Sequence, residues 1–223
     1  SFHLNVRNPK ELAGLVDTWE HDVLPAFFPQ QQQDKEEDGI RNLGQRLFNV
    51  ARPISNLVSP KPTDPFATLI HGDYKAMNVF LPKDPNTHQA KLVDFATAGV
   101  GLGMSDVAMH IRHAVPPDVL DGQQEEALVR HYWEYLTETL GVQDYSWEKA
   151  WFHYKVALVD YVRFFAARMW KAATPETMHA KRNNKNVSNI NRSVPAAVAI
   201  IKVVNKYLTE IEQQLQQEKE EDE

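Results

Sequence analysis

Between Phe66 and Phe95 the hydrophobic pattern changes period, and this change constrains the fold more than any other feature of the chain. On either side, apolar residues recur at helical spacing, as in Leu12, Leu15, Val16, Trp19 and Val23. Inside the block, the runs Ala67 to Ile70, Asn78 to Leu81 and Lys91 to Phe95 are short and separated by Gly, Pro and Asn. They read as brief strands. A short-strand block set between long amphipathic segments predicts an α+β chain that is mostly α-helical.

Local signals set the expected boundaries. Asn8, Pro9 and Glu11 form a helix start, with a capping side chain, Pro at the first helical position and an early acid. Pro25 and Pro29 are expected to close that helix, and Gln30 to Gly39 reads as an exposed polar loop. Ile40, Leu43, Leu47 and Val50 resume a helical face, after which Pro53, Pro60, Pro62 and Pro65 mark an irregular connection. Later, Ser105 is expected to cap a helix through Ala114, and Leu128, Val129, Tyr132, Trp133 and Leu136 mark another. Ser146 opens an aromatic-rich helix to about Trp170, and a last helix spans about Val194 to Gln217.

Composition narrows the function classes. The 223 residues carry 24 Lys and Arg against 30 Asp and Glu, a net charge of −6, which argues against a nucleic-acid surface. Part of that acidity lies in an expected solvated tail, residues 218–223. There is no Cys, so disulfides and thiolate zinc sites are excluded. No apolar run approaches the roughly 20 residues of a spanning helix, and the start lacks a signal-peptide pattern. These features read as a soluble, cytoplasmic protein with no membrane partner.

The chemistry-bearing string is His71-Gly72-Asp73-Tyr74-Lys75-Ala76-Met77-Asn78, followed by Leu92-Val93-Asp94-Phe95. A pattern of H-x-D-x-x-x-x-N with a later Asp at a strand end suits a magnesium-dependent phosphoryl transferase. One carboxylate must orient the acceptor hydroxyl and take its proton, and separate oxygen ligands must hold Mg²⁺ against nucleotide phosphates. Asp73 suits the first task, and Asn78 with Asp94 suits the second. Lys75 is either a point charge for the transferring phosphoryl group or an ordinary loop lysine. The three-residue pattern alone arises by chance in roughly 3 % of chains of this length, so its flanking apolar runs carry the weight.

From His71 to Ile111 the chain resembles the aminoglycoside phosphotransferase and choline kinase-like branch of the protein kinase-like superfamily. There, a His-Gly-Asp loop is followed by Asn, by a hydrophobic-Asp-aromatic strand, and by Gly and a further Asp opening a helix. Gly99, Gly101 or Gly103, and then Asp106, match the last two features. The resemblance implies that Asp73 is the catalytic carboxylate, that Asn78 and Asp94 bind Mg²⁺ and so ATP, and that His71 and Asp106 brace the loop. It also implies that residues 1–217 are a C-terminal catalytic and substrate lobe.

The small lobe that clamps nucleotide in such enzymes precedes the His-Gly-Asp block. The 70 residues before His71 read as two helices and a proline-rich connection, with Gly14, Gly39 and Gly44 as their only glycines. The expectation is therefore a fragment, nearly inactive alone, whose small lobe lies in cis before Ser1. The Gly99 to Gly103 segment lacks G-x-G-x-x-G spacing and reads as a flexible approach to the Asp106 helix.

Other clusters read as structural. His110, His113, His131 and His153 have no metal-ligand spacing. Arg163, Arg168, Lys171, Lys181 and Arg182 read as a solvated face, and the later aromatics mostly as core, with one or two lining an acceptor pocket. The leading reading is an ATP-dependent kinase of a small-molecule hydroxyl. The alternatives are a catalytically inactive kinase-derived binding or assembly module and, more weakly, a metal-dependent hydrolase using Asp73 and Asp94. The acceptor itself is not legible in the sequence.

Overall fold

The fold was obtained as a computed structural model, which describes residues 9–29, 39–84, 86, 89–120 and 122–221. The cap at Asn8, the polar loop up to residue 38 and the last two residues of the acidic tail lie outside the described residues.

The first helical region contains α1 (Pro9–Ala13), α2 (Leu15–Thr18), a π turn (Trp19–Val23) and α3 (Leu24–Phe27). Pro25 does not close this region but sits inside α3. A proline ring collides with the carbonyl four residues earlier in a regular helix, and the wider π turn just before it relieves that conflict. Next comes α4 (Leu43–Leu57), which also contains an internal proline, Pro53. The helix continues past it because Ile54 and Ser55 remain on the buried face.

Two small antiparallel ribbons follow. β1 (Ala67–Ile70) pairs with β4 (Gly99–Leu102), and β2 (Val79–Phe80) pairs with β3 (Lys91–Leu92). The segment expected to be flexible is thus a paired strand. Two of its three glycines serve close packing instead: a Cβ at Gly101 would lie 2.5 Å from Ile70 Cδ1, and one at Gly103 would lie 2.4 Å from the Tyr132 hydroxyl oxygen, whereas Gly99 has open space around it.

The rest is helical: α5 (Gly103–Ala114), α6 (Gly122–Glu134), α7 (Trp147–Phe164), α8 (Pro175–Ala180) and α9 (Val194–Glu221). α5 begins two residues before Ser105, which therefore does not cap it. Ser146 does cap α7, accepting the Lys149 backbone N–H at 3.2 Å. α7 is buried all round from Val156 to Arg163 and packs against α4, α5 and α9, as expected of a central helix. Arg163 is accordingly no surface residue; it pairs with Asp160 at 2.8 Å in the interior. α9 is fastened to α4 by Arg46, which reaches Glu212 at 2.7 Å and Asn205 at 2.5 Å. Among the described residues, no helix is long and apolar enough to cross a membrane.

Candidate active site

The loop after β1 gathers the motif residues. Gly72 adopts φ 78°, a left-handed turn that glycine tolerates without strain. This turn points two successive amides at one carboxylate: Asp106, in the first turn of α5, accepts the His71 N–H at 2.6 Å and the Gly72 N–H at 2.9 Å. Two amides fix both carboxylate oxygens, so the loop cannot rotate relative to α5 without losing both bonds.

His71 ties the loop to the second ribbon. Its Nε2 lies 2.8 Å from the Val93 carbonyl oxygen, and its Nδ1 accepts the Asp73 N–H at 3.3 Å. The Nδ1 atom is thus an acceptor, which leaves the proton on Nε2 to donate to Val93. The imidazole is buried and engaged on both nitrogens.

Asp73 is half-buried, and its Oδ2 meets Lys75 Nζ at 2.5 Å and Asn78 Nδ2 at 3.3 Å. Asn78 is buried, and its amide also donates to the Asp73 backbone carbonyl at 2.9 Å. Both bonds use the amide nitrogen, so the amide oxygen faces away from Asp73. Asp94, one residue after the Val93 carbonyl that receives His71, is exposed with φ 66° and ψ 61°. A non-glycine residue in this left-handed region is uncommon and marks a constrained position. Asp73, Lys75, Asn78, His71 and Asp106 are thus joined by direct hydrogen bonds. Asp94 is connected to them through the backbone at Val93.

A cavity of about 420 Å³ opens beside Asp73. Gly72, Asp73, Lys75 and Thr97 form its polar mouth; Met109, Phe164, Phe165 and Met169 supply apolar wall; and Tyr161, Arg168, Asn186, Ser188, Asn191 and His113 complete it. The His113, Ser188 and Asn191 contributions were not anticipated. One signal pointed to His113: it stands seven residues after Asp106, close to two full helical turns, and so on the same face of α5.

Two histidines are held neutral. Burial lowers His113 to about 4, reinforced by the Lys75 and Arg192 charges and opposed by Asp73. Burial likewise lowers His153, whose Nδ1 lies 3.1 Å from the Tyr145 hydroxyl, to about 4. Both folded values lie below the ordinary 6.5, so both residues are neutral, folded or unfolded, above that pH. As pH falls from 6.5 towards 4, only the unfolded chain takes up these protons, and stability falls. The expected loss is about 2–3 kcal/mol per histidine between pH 6.5 and 4.5. Urea unfolding at both pH values should show His113→Gln and His153→Gln with a shallower pH slope; an unchanged slope would refute the assignment.

A carboxylate flanked by a lysine and an asparagine on a braced loop, beside a cavity of mixed polar and apolar lining, is an arrangement that suits a kinase-like phosphotransferase. The chain belongs to the ecdysteroid kinase-like family, whose profile matches residues 11–145. That family lies within the protein kinase-like superfamily, and the match, rather than the aminoglycoside phosphotransferase and choline kinase branch, gives the chain its place there. The matched region ends just before α7, so it spans the catalytic block, α5 and α6. No curated protein and no solved structure matches the chain.

Proposed function

We propose that this site transfers the γ-phosphoryl group of ATP to a hydroxyl of a small, largely apolar molecule. The observation that carries this reading is the position of Asp73: one carboxylate oxygen sits between an ammonium and an amide, at the mouth of the 420 Å³ cavity. Asp73 orients the acceptor hydroxyl and takes its proton as the new O–P bond forms. Lys75 pairs with Asp73 in the resting site and turns towards the transferring group as negative charge gathers there. His71 and Asp106 act by holding the loop.

The donor set fits Mg²⁺. Asn78 and Asp94 offer hard oxygen donors, and the Asn78 amide is oriented with its nitrogen already engaged. Among the described residues, no three His, Asp or Glu gather into an all-protein metal cage. That suits an ion which usually takes one or two carboxylates and completes its shell with water and phosphate. Bound there, Mg²⁺ would neutralise charge on the nucleotide phosphates.

The two ribbons carry an exposed apolar face, with Leu69 79 % and Leu81 77 % exposed and Phe80, Phe95 and Val100 also open. Exposed apolar surface of this kind commonly marks an interaction site. We place a nucleotide-covering lobe of the same polypeptide against it. Among the described residues, the acceptor cavity has no carboxylate free of a cation, since Asp73 is paired with Lys75. This favours a neutral alcohol over a cationic one, and the steroid class in the family's name meets that description.

The test uses intact protein, γ-labelled ATP, Mg²⁺ and a panel of neutral alcohols including a steroid polyol. Label is expected in an acid-stable phosphate ester, dependent on Mg²⁺. Release of label only as inorganic phosphate would instead favour a hydrolase, and no turnover of ATP with any alcohol would favour a binding module.

A further inference from the structure

Residues 161–192 carry seven Lys and Arg against one acid, Glu176, whereas the rest of the chain carries 17 against 29. The positive charge of an acidic protein is thus gathered in one stretch. Two of the seven are engaged internally, since Arg163 pairs with Asp160 and Arg192 donates to the Arg182 carbonyl at 3.1 Å and to Asn189 Oδ1 at 2.6 Å. Arg168, Lys171, Arg182 and Lys185 are exposed, and Lys181 is half-buried. Among the described residues, Lys171, Lys181, Arg182 and Lys185 form no ion pair, and Arg168, still 54 % exposed, meets Glu11 at 3.2 Å. Clustered like charge destabilises a fold by self-repulsion, so a cluster left largely unneutralised calls for a partner.

The fold brings these cations to one place. The buried Trp170 indole donates to the Ile190 carbonyl at 3.0 Å, which clamps the segment bearing Arg168 and Lys171 against the turn at Asn189–Asn191. Arg192 ties Arg182 to the same turn. Arg168, Met169 and Asn186, the neighbour of Lys185, are all exposed and form one rim of the cavity that holds Asp73. The acids on this side, Glu11, Glu176 and Asp118, offset only part of the charge.

We infer that this basic rim docks the protein on an anionic membrane surface, with the Arg168 and Met169 side of the cavity facing the lipid. A nucleic acid would satisfy the charges alone, but offers nothing to Met169 or to the apolar wall of Met109, Phe164 and Phe165 behind it. A bilayer presents phosphate groups to the cations and dissolved apolar molecules to the cavity. The acidic remainder of the chain is repelled by the same leaflet, which selects one orientation. Docked this way, the cavity takes its alcohol from the bilayer rather than from water. That last step rests on the phosphotransferase reading of the cavity; the docking does not.

The test is cosedimentation of the intact protein with vesicles of phosphatidylcholine alone, or of phosphatidylcholine and phosphatidylserine at roughly 7:3, without nucleotide or alcohol. Binding is expected to the anionic vesicles only, and to fall as salt rises from about 0.05 to 0.5 M. Each Lys or Arg near such a surface strengthens binding about fivefold, so Lys171→Glu, Arg182→Glu and Lys185→Glu together should weaken it by more than about 100-fold. Lys61→Glu, Lys83→Glu and Lys149→Glu change net charge equally at exposed positions outside the patch and should weaken it far less. Equal binding to both vesicle types, a patch variant that binds like wild type, or an outside variant that loses as much, overturns the inference. Duplex DNA bound as tightly at the same salt would replace the membrane as partner. Orientation is read from Met169, whose ¹³C methyl resonance a paramagnetic headgroup in anionic nanodiscs should broaden; an unbroadened signal places the cavity away from the lipid. If the patch variant misfolds, the wild-type lipid comparison and the Met169 signal decide. Failed docking and failed phosphoryl transfer are thus read separately.

Discussion

Asp73→Asn in the intact protein is expected to lower kcat for alcohol phosphorylation by about 10²–10⁴-fold, the range for loss of a positioned general base. The substitution keeps shape and hydrogen-bonding volume but cannot accept a proton at pH 7. Stability should barely change, because the side chain is 31 % exposed and its contacts are polar and local. KM for Mg·ATP should also hold, since Asn78 and Asp94 are untouched, so the defect belongs to the chemical step rather than to binding. Steady-state kinetics with a melting curve on the same preparation separate these. A variant that turned over at the wild-type rate would remove Asp73 from its role.

The second large effect concerns the interior. Glu125 in α6 receives the Arg112 guanidinium from α5 and the Tyr154 hydroxyl from α7, the latter at 2.6 Å, and both charged side chains are buried. One carboxylate therefore joins three helices. Glu125→Gln leaves a buried guanidinium without its counter-charge, and breaking such a pair from one side typically costs about 3–5 kcal/mol. For a chain of this size that corresponds to a fall of roughly 10 °C in Tm. Arg112→Met with Glu125→Leu should recover most of the loss, because neither charge then remains buried. Recovery separates the loss of charge pairing from disruption of packing; a double variant no more stable than the single one would point to packing.

Residues close in sequence were the legible ones. The spacing of His71, Asp73 and Asn78 is local, and a loop of that length brings their side chains together. The helical stripes were equally plain, since period alone defines them. Pro25 and Pro53 misled because a proline is a boundary signal only where no π turn or strongly buried face overrides it. Gly99, Gly101 and Gly103 suggested flexibility, but at Gly101 and Gly103 the reason for a small residue was the approach of Ile70 and Tyr132, which no local pattern encodes. Arg163 looked like surface because its partner, Asp160, sits only one helical turn away inside a segment buried on all sides. His113 and Asn191 were invisible for a related reason: 78 positions separate them, and only the packed turn at Asn189 brings them to one wall.

α5 holds the catalytic loop at one end, through Asp106, and presents His113 to the cavity seven residues later. At 1.5 Å per residue these points stand about 10 Å apart on one face of a rigid rod. The helix therefore works as a ruler: the span between the braced loop and the His113 side of the cavity is counted in backbone turns, not set by a pliable loop. Inserting one residue between them would swing His113 by about 100° around the rod and break its bond to the Ala76 amide, so the cavity wall and the catalytic loop would shift together.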